Sequence, residues 1–218
     1  MAVFFKPSKF LLLQKIKENT DFVFGVTLDA GSSGINRYGN LFPKITKYLT
    51  LDIKSECKPD IIASIDNIPL ENDSIDSIIC TQVIGDVVDP SKVIKEFYRV
   101  VRPGGVVLLS ESFMNEIHGE PFDYWRFTSY GLKNLFESNG FNIVKLEQVG
   151  GFFSVMAQNQ IRYLIERLKL NNGRLLAKLF CPIINLFGRL LIWLDKKDVS
   201  LANKKFAIGW LVIANKNK

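Results

Sequence analysis

A chain of 218 residues with 47% hydrophobic and 23% charged side chains has material for one good-sized core, and one domain is the expectation. Three widely spaced cysteines (Cys57, Cys80 and Cys181), with no CxxC or Cys/His pairing, argue against a zinc centre or disulfide framework; a reduced cytoplasmic setting and no metal are expected. The net charge of +6 belongs to the tail: residues 1–151 hold 16 Lys and Arg against 19 Asp and Glu, whereas residues 152–218 hold 12 against 3.

The leading stretch MAVFFKPSKFLLLQKIKE is too short and too interrupted by lysine for a signal peptide or a spanning helix. Ser8 to Glu18 reads as a short amphipathic helix capped by Ser8. Apolar runs then mark strands at Val23–Leu28, Tyr48–Ile53, Ile61–Ile65, Ile75–Cys80, Val106–Leu109 and Ile143–Val149. Helices are expected near Asn36–Phe42, Ser91–Val101 and Thr128–Ser138. Apolar strands separated by helices imply a mostly parallel sheet covered on both faces. Asp89-Pro90-Ser91 opens one helix, and Pro103-Gly104-Gly105 ends it and turns the chain into the next strand. Residues 151–200 read as an inserted helical pair, the second helix, Arg174–Leu194, being apolar nearly all round. Phe206–Ala214 returns as the last strand.

Chemistry gathers behind the strands. Asp29-Ala30-Gly31-Ser32-Ser33-Gly34 follows the first strand, where glycines allow a bound cofactor close to the backbone and a following helix presents free N–H groups. A ligand-free turn is the bland alternative, and the GxGxxG dinucleotide fingerprint is not met. Asp52 ends the second strand, where a carboxylate accepts from both hydroxyls of a ribose; a turn aspartate is its bland alternative. Asp66 follows the third strand and is placed to accept from an exocyclic amine, or is a simple loop carboxylate. Thr81-Gln82-Val83 ends the strand that should lie beside the first, where sheet order reverses and a ligand crevice forms.

In this order the segments resemble class I S-adenosylmethionine (SAM) dependent methyltransferases of the type 11 kind. The resemblance rests on Asp29/Gly31, Asp52, Asp66, DSIIC and RVVRPGG, and covers about residues 23–150. It implies an α/β fold, Rossmann-like, with a mostly parallel seven-stranded sheet and a helical insertion before the last strand. The implied segments are an N-terminal helix (1–22), a SAM-binding core (23–150), the insertion (151–200) and the last strand (201–218). It further implies that Asp29, Gly31, Ser33 and Gly34 hold the methionine portion of SAM, Asp52 with Ile53 the ribose, Asp66 with Asn67 the adenine end, and that Gln82 lies near the sulfonium. The family usually has glycine where Ser33 stands.

The stretch SFMNEIHGEPFDYWRFTSYGL contains His118, the sole histidine. It resembles a bacterial subset of the family with an H-x-x-P-x-D-Y-x-R-F-T pattern, many of them encoded near surface-glycan or lipid-linked saccharide genes. His118 is the candidate general base for a hydroxyl nucleophile, with Tyr124 at the substrate and Asp123 or Glu116 as fallback bases. Asp123 and Arg126 are otherwise expected to pair and order the loop, with Trp125 and Phe127 packed beneath. The basic apolar stretch 152–195 is a lid, a homodimer interface, or a surface for peripheral membrane contact. Its cations accompany aliphatic runs, which disfavours nucleic acid. Lys178, Arg189 and Pro182 inside it make Arg174–Leu194 a poor spanning helix. The expected activity is SAM-dependent O-methylation of a small or lipid-linked saccharide. The alternatives are C- or N-methylation of a lipophilic acceptor such as a quinone precursor, and a non-catalytic SAM-fold assembly factor at the membrane.

Overall fold

The apolar runs of the first 150 residues become strands, and the central ones are buried on both faces as a parallel sheet requires; all seven residues of one of them, Ile75–Thr81, are buried. In the computed structural model, which describes residues 4–170 and 174–217, seven strands form one sheet. They are β1 (Phe24–Ala30), β2 (Lys44–Asp52), β3 (Ile61–Ile62), β4 (Ile75–Thr81), β5 (Val101–Ser112), β6 (Phe141–Val149) and β7 (Gly209–Lys216). The order is β3-β2-β1-β4-β5-β7-β6. Pairings β1–β2, β1–β4, β2–β3 and β4–β5 are parallel, and sheet order reverses between β1 and β4. The α-helices are α1 (Pro7–Lys17), α2 (Pro90–Val100), α3 (Ser129–Glu137), α4 (Phe152–Arg167) and α5 (Arg174–Lys197).

The chain divides into two compact units. One comprises Lys15–Ser112, Ile117–Glu147 and Trp210–Lys218; the other comprises Met1–Gln14, Phe113–Glu116 and Gln148–Gly209. Residues 1–3 and 218 of the expected domain, and the 171–173 link between the insertion helices, lie outside the described residues.

In the first unit, a buried carboxylate organises the amino edge of the sheet. Asp76, second in β4, accepts from Val26 N (2.7 Å) and from the Arg102 guanidinium (2.9 Å). The β1–β2 register slips between Gly25 and Val26, and Gly25 has φ +65° with no room for a Cβ, which would lie 2.2 Å from the Asp76 carboxylate. The Pro103-Gly104-Gly105 turn lies inside β5 as an irregularity: Ile75 opposes Val101 but Ser77 opposes Val106. It does not end the helix, as the sequence suggested; α2 has already stopped at Val100. Gly105 is needed because a Cβ there would lie 2.7 Å from the Asp76 carbonyl oxygen.

The helix starts follow their caps. The Asp89 carboxylate accepts from Ser91 N and Lys92 N with Pro90 in the first turn, and the Thr128 hydroxyl accepts from Gly131 N. Two expectations fail. No α-helix forms over Asn36–Phe42; Gly39–Leu41 makes one 3-10 turn, since about two turns are too few to nucleate a helix and Asn36 Oδ1 takes the Gly39 N–H (2.8 Å) in a local turn. Ser8 does not cap α1, which begins at Pro7; Ser8 sits in the first turn and its N–H donates to Gln158 Oε1 (3.3 Å).

In the second unit α4 packs on α5 through Ile161, Ile165, Ala177 and Ile184, joined by Leu170 and partly buried Phe4 and Phe5. The start of α4 has no cap of its own. Asp195 supplies one, accepting from Gly151 N (2.7 Å), Phe153 N (3.1 Å) and the Ser154 hydroxyl (2.6 Å).

Gly105→Ala should lower the unfolding free energy by about 1–3 kcal/mol through overpacking at the β4–β5 bulge, measured by urea denaturation. An unchanged midpoint would show that the bulge has slack.

Candidate functional site

The carboxyl edge of the sheet, at the β1/β4 reversal, is where a parallel α/β sheet opens a crevice. Backbone N–H groups of Gly31 (2.8 Å) and Ser32 (3.1 Å) donate to Leu51 O, folding the loop after β1 across the end of β2. That brings Ser33 N to Asp52 Oδ2 (2.8 Å), while Lys54 N donates to Oδ1 (2.9 Å). Asp52 is 8% exposed, yet the next residue, Ile53, is 67% exposed. Ser33 keeps the left-handed conformation (φ +56°) that usually favours glycine, followed by Gly34 at +66°.

The glycines serve packing. A Cβ on Gly31 would lie 2.5 Å from the Val83 side chain, and one on Gly34 would lie 1.7 Å from the Cys57 carbonyl oxygen. With no helix after the loop, the expected row of free helix N–H groups is also missing. Asp29 is 2% exposed and accepts from the Tyr48 hydroxyl (2.5 Å). Burial pushes its carboxyl up to about 6, against the lowering pull of Tyr48 and Arg37.

Asp66 and Asn67 lie in the turn after β3, whose Ala63 N donates to Asp52 O (3.1 Å). Asp66 is engaged by Lys92 Nζ (3.0 Å); hydrogen bonds from Ser64 and Lys92 hold it below the usual carboxylate range. Gln82 just beyond β4 is exposed and held at φ +58°, with Oε1 accepting from the Ser112 hydroxyl (2.6 Å).

Two acidic residues escaped the sequence reading. Glu111, 2% exposed near the end of β5, accepts from Val83 N (2.7 Å) and Ile84 N (2.8 Å) through Oε1. Burial pushes it up to about 7 despite these hydrogen bonds. Its signal was a lone acid closing the apolar run VVLLSES. The turn it holds passes on to the His118 loop, because Gly85 O accepts from Tyr124 N and Trp125 N, both at 3.0 Å. Asp86, in the same turn, is raised by burial and sits among His118, Asp123 and Arg126.

The loop is ordered by ions. Arg126 clasps both oxygens of Asp123, one of them at 2.9 Å, and holds that carboxyl far below its ordinary range. The Trp125 indole N–H donates to Val87 O (3.0 Å), and its ring stacks on Phe127 at a 6.5 Å centroid distance. His118 Nδ1 lies 3.3 Å from Arg126 Nη2 and 3.6 Å from Asp123 Oδ2. A guanidinium only donates, so the closer contact puts the neutral ring's proton on Nε2. Base action at Nε2 requires the other tautomer, with Nδ1–H turned to Asp123. Ligand atoms of Asp86, His118 and Asp123 come within 4.8 Å of one another, but the charge of Asp123 is already compensated by Arg126. Tyr124 is 46% exposed. The fallback base Asp123 is committed to Arg126; Glu116, in the other unit, is paired with Arg162 beside a pocket of about 450 Å³.

Residues 43–109 match the family model of a methyltransferase domain. A ubiquinone/menaquinone biosynthesis C-methyltransferase of Geotalea daltonii is 46% identical over 50 residues, which is 23% of this chain and 21% of that protein. The chain spans about a fifth of the length of the curated relatives it matches. Among solved structures, the cyclase SpnF superposes with a TM-score of 0.62 at 15% identity, covering 95% of this chain and 81% of that one. The phosphoethanolamine N-methyltransferase 2 of Haemonchus contortus, solved with S-adenosyl-L-methionine, gives 0.60 at 15% identity over 96% of this chain and 53% of that one. The fold is therefore the Rossmann-like class I methyltransferase fold, with a helical insertion before the last strand.

Asp29 and Glu111 bind protons more tightly folded than unfolded, rising from 3.8 to about 6 and from 4.5 to about 7. Their contribution to stability is complete below the unfolded values, is lost as pH climbs to about 7, and is flat above. Glu111→Gln keeps an acceptor at Oε1 and should remove the Glu111 share, on the order of 3 kcal/mol. Urea melts of both proteins between pH 4.5 and 7 measure it; parallel stability curves would contradict the shift.

Proposed function

We propose that this chain transfers a methyl group from SAM to a hydroxyl of a small or lipid-linked saccharide. Asp52 carries the cofactor reading. Its two oxygens are fixed by the N–H groups of Ser33 and Lys54, its remaining lone pairs suit a ribose diol, and exposed Ile53 beside it offers an apolar face for adenine. The donor set fits SAM better than a dinucleotide. This edge is lined by the carboxylates Asp29, Asp52 and Glu111, and the loop after β1 leads into no helix N-terminus for a pyrophosphate.

In this reading Asp29, Gly31, Ser33 and Gly34 hold the methionine end, where Asp29, ionised above about pH 6, favours a cationic group. Gln82 stands near the sulfonium, and Asp66 with Asn67 closes the adenine end. Bound SAM supplies an electrophilic methyl on a positively charged sulfur. The protein's task is then to align a nucleophile, keep water out and accept a proton. Glu111 positions the 83–85 turn, which in turn fixes Tyr124 and Trp125 over it. Asp123, locked ionised by Arg126, is suited to hold Nδ1–H of His118, leaving Nε2 to take the acceptor's proton. Tyr124 contacts the acceptor.

A second reading, C-methylation of a lipophilic acceptor such as a quinone precursor, is favoured by the local match to the Geotalea daltonii enzyme. The acceptor chemistry separates the two.

S-adenosylhomocysteine should raise the melting temperature, and Asp52→Ala should abolish that shift; no shift for the unaltered protein at millimolar ligand would sink the SAM reading. His118→Ala should retain the shift but lower turnover by about 100-fold or more, as loss of a general base does. Labelled methyl from SAM, followed into cell extract, should appear in a saccharide fraction. Label in a quinone fraction would favour the second reading.

A further inference from the structure

Helix α5 carries more apolar surface than its packing uses. One side is buried: Ala177, Cys181, Ile184, Gly188 and Leu191, at spacings of 4, 3, 4 and 3. Ala177 and Ile184 pack with Ile161 and Ile165 of α4, and Gly188 lets the helices approach, since a Cβ there would lie 2.6 Å from Ile161 Cδ1. The opposite side repeats the same spacing in the open. Leu179, Ile183, Leu186, Leu190 and Trp193 are between 51% and 71% exposed. On a 3.6-residue period they form one continuous stripe.

The border of this stripe is basic. Lys178, Arg189 and Lys196, separated by 11 and 7 residues, fall on one line along its edge, all exposed, and Lys197 lies at its end 6.0 Å from the Trp193 ring centroid. No acid offsets them on the stripe. Residues 174–194 contain no Asp or Glu. Asp195 is turned to the α4 N-terminus, and Asp198 accepts from Ser200 N (2.9 Å). Apolar side chains bounded by long cationic ones, with a tryptophan at the end, match what a headgroup boundary solvates: hydrocarbon below, cations reaching up to lipid phosphates.

We propose that the exposed face of α5 lies in the plane of an anionic bilayer surface. Charge decides between the possible occupants. A second copy seated on the stripe would bring the same basic borders together, where paired helices normally match opposite charges. An anionic lipid surface supplies the missing counter-charge. Ala177–Lys197 is long and apolar enough to cross a membrane by length and composition. Its α4-facing side is already used within the unit, so the helix lies on the bilayer and does not traverse it.

The test uses the full chain and sedimentation with phosphatidylcholine vesicles, with and without phosphatidylglycerol. Binding is expected only with the anionic lipid and should weaken as salt rises. Replacing Lys178, Arg189 and Lys196 together with Ala should lower the partition coefficient by on the order of 100-fold. Leu186→Glu with Leu190→Glu, both at exposed positions, should abolish binding while circular dichroism and the S-adenosylhomocysteine melting shift stay unchanged. Absence of binding at low salt, or equal binding to neutral vesicles, would overturn the proposal. A dimer by light scattering that the double Glu variant dissociates, without vesicle binding, would assign the stripe to a second copy. Protein released from vesicles only by detergent would assign it to a spanning helix.

Discussion

The sheet is set from its amino edge by one buried carboxylate. Asp76 lies between β1 and β5, accepting from Val26 N on one side and Arg102 on the other. Removing Asp76 would leave the part-buried Val26 amide without its acceptor, while exposed Arg102 would turn to water. The register slip at Gly25/Val26 and the irregularity at 102–105 are both built around it. Because strands are stiff and continuously hydrogen-bonded, fixing these starts also fixes where the strands end, and thus which residues of β1, β4 and β5 face one another at the far edge.

At that far edge, Glu111 has a comparable but more precarious position. It gathers the N–H groups of Val83 and Ile84 while buried deeply enough to resist ionisation near neutral pH. The 83–85 turn is thereby tied to β5 and in turn receives the backbone of Tyr124 and Trp125. The His118 loop is thus fixed through the 83–85 turn as well as by its own Asp123–Arg126 pair. Positive φ at Gln82 and Ser33 adds local strain on either side of the crevice, on the order of 1 kcal/mol each, which the surrounding hydrogen bonds must offset.

Legibility followed the range of the interaction. Strands buried on both faces announce themselves as continuous apolar runs, and caps such as Asp89 and Thr128 act within three residues, so both could be read directly. The DSIIC and RVVRPGG signatures were legible too, but for a reason invisible in one dimension. Asp76 and Arg102 meet at the amino edge, so the most recognisable residues build the frame and not the crevice. For Gly31 and Gly34 the sequence could not show a second demand on the same positions: Val83 and the Cys57 carbonyl occupy the space a Cβ would need. What could not be read depended on distant partners. Glu111 looked like the end of a strand until its amide donors 27 and 28 residues away were known. Asp66 gave no hint of Lys92, nor Glu116 of Arg162. The absent helix at Asn36–Phe42 shows the converse error, in which the alternation of strands and helices was extended to a segment too short to nucleate one.

The two units divide the chemistry unevenly. The buried carboxylates Asp29, Asp52 and Glu111 belong to the sheet unit, with its near-balanced charge. The other unit, holding the helical insertion, carries the net positive charge and the exposed apolar stripe. A fold shared by a cyclase and N-methyltransferases leaves the reaction to local groups. Among the local groups is one histidine, His118, whose two Nδ1 neighbours demand opposite tautomers. Arg126 favours a ring that donates from Nε2; Asp123 favours one that accepts there. Switching between them needs only a small shift of the ring, toward a carboxylate already stripped of any tendency to protonate. The tautomer of this ring is thus set by the balance between an arginine and an aspartate that are also each other's partners.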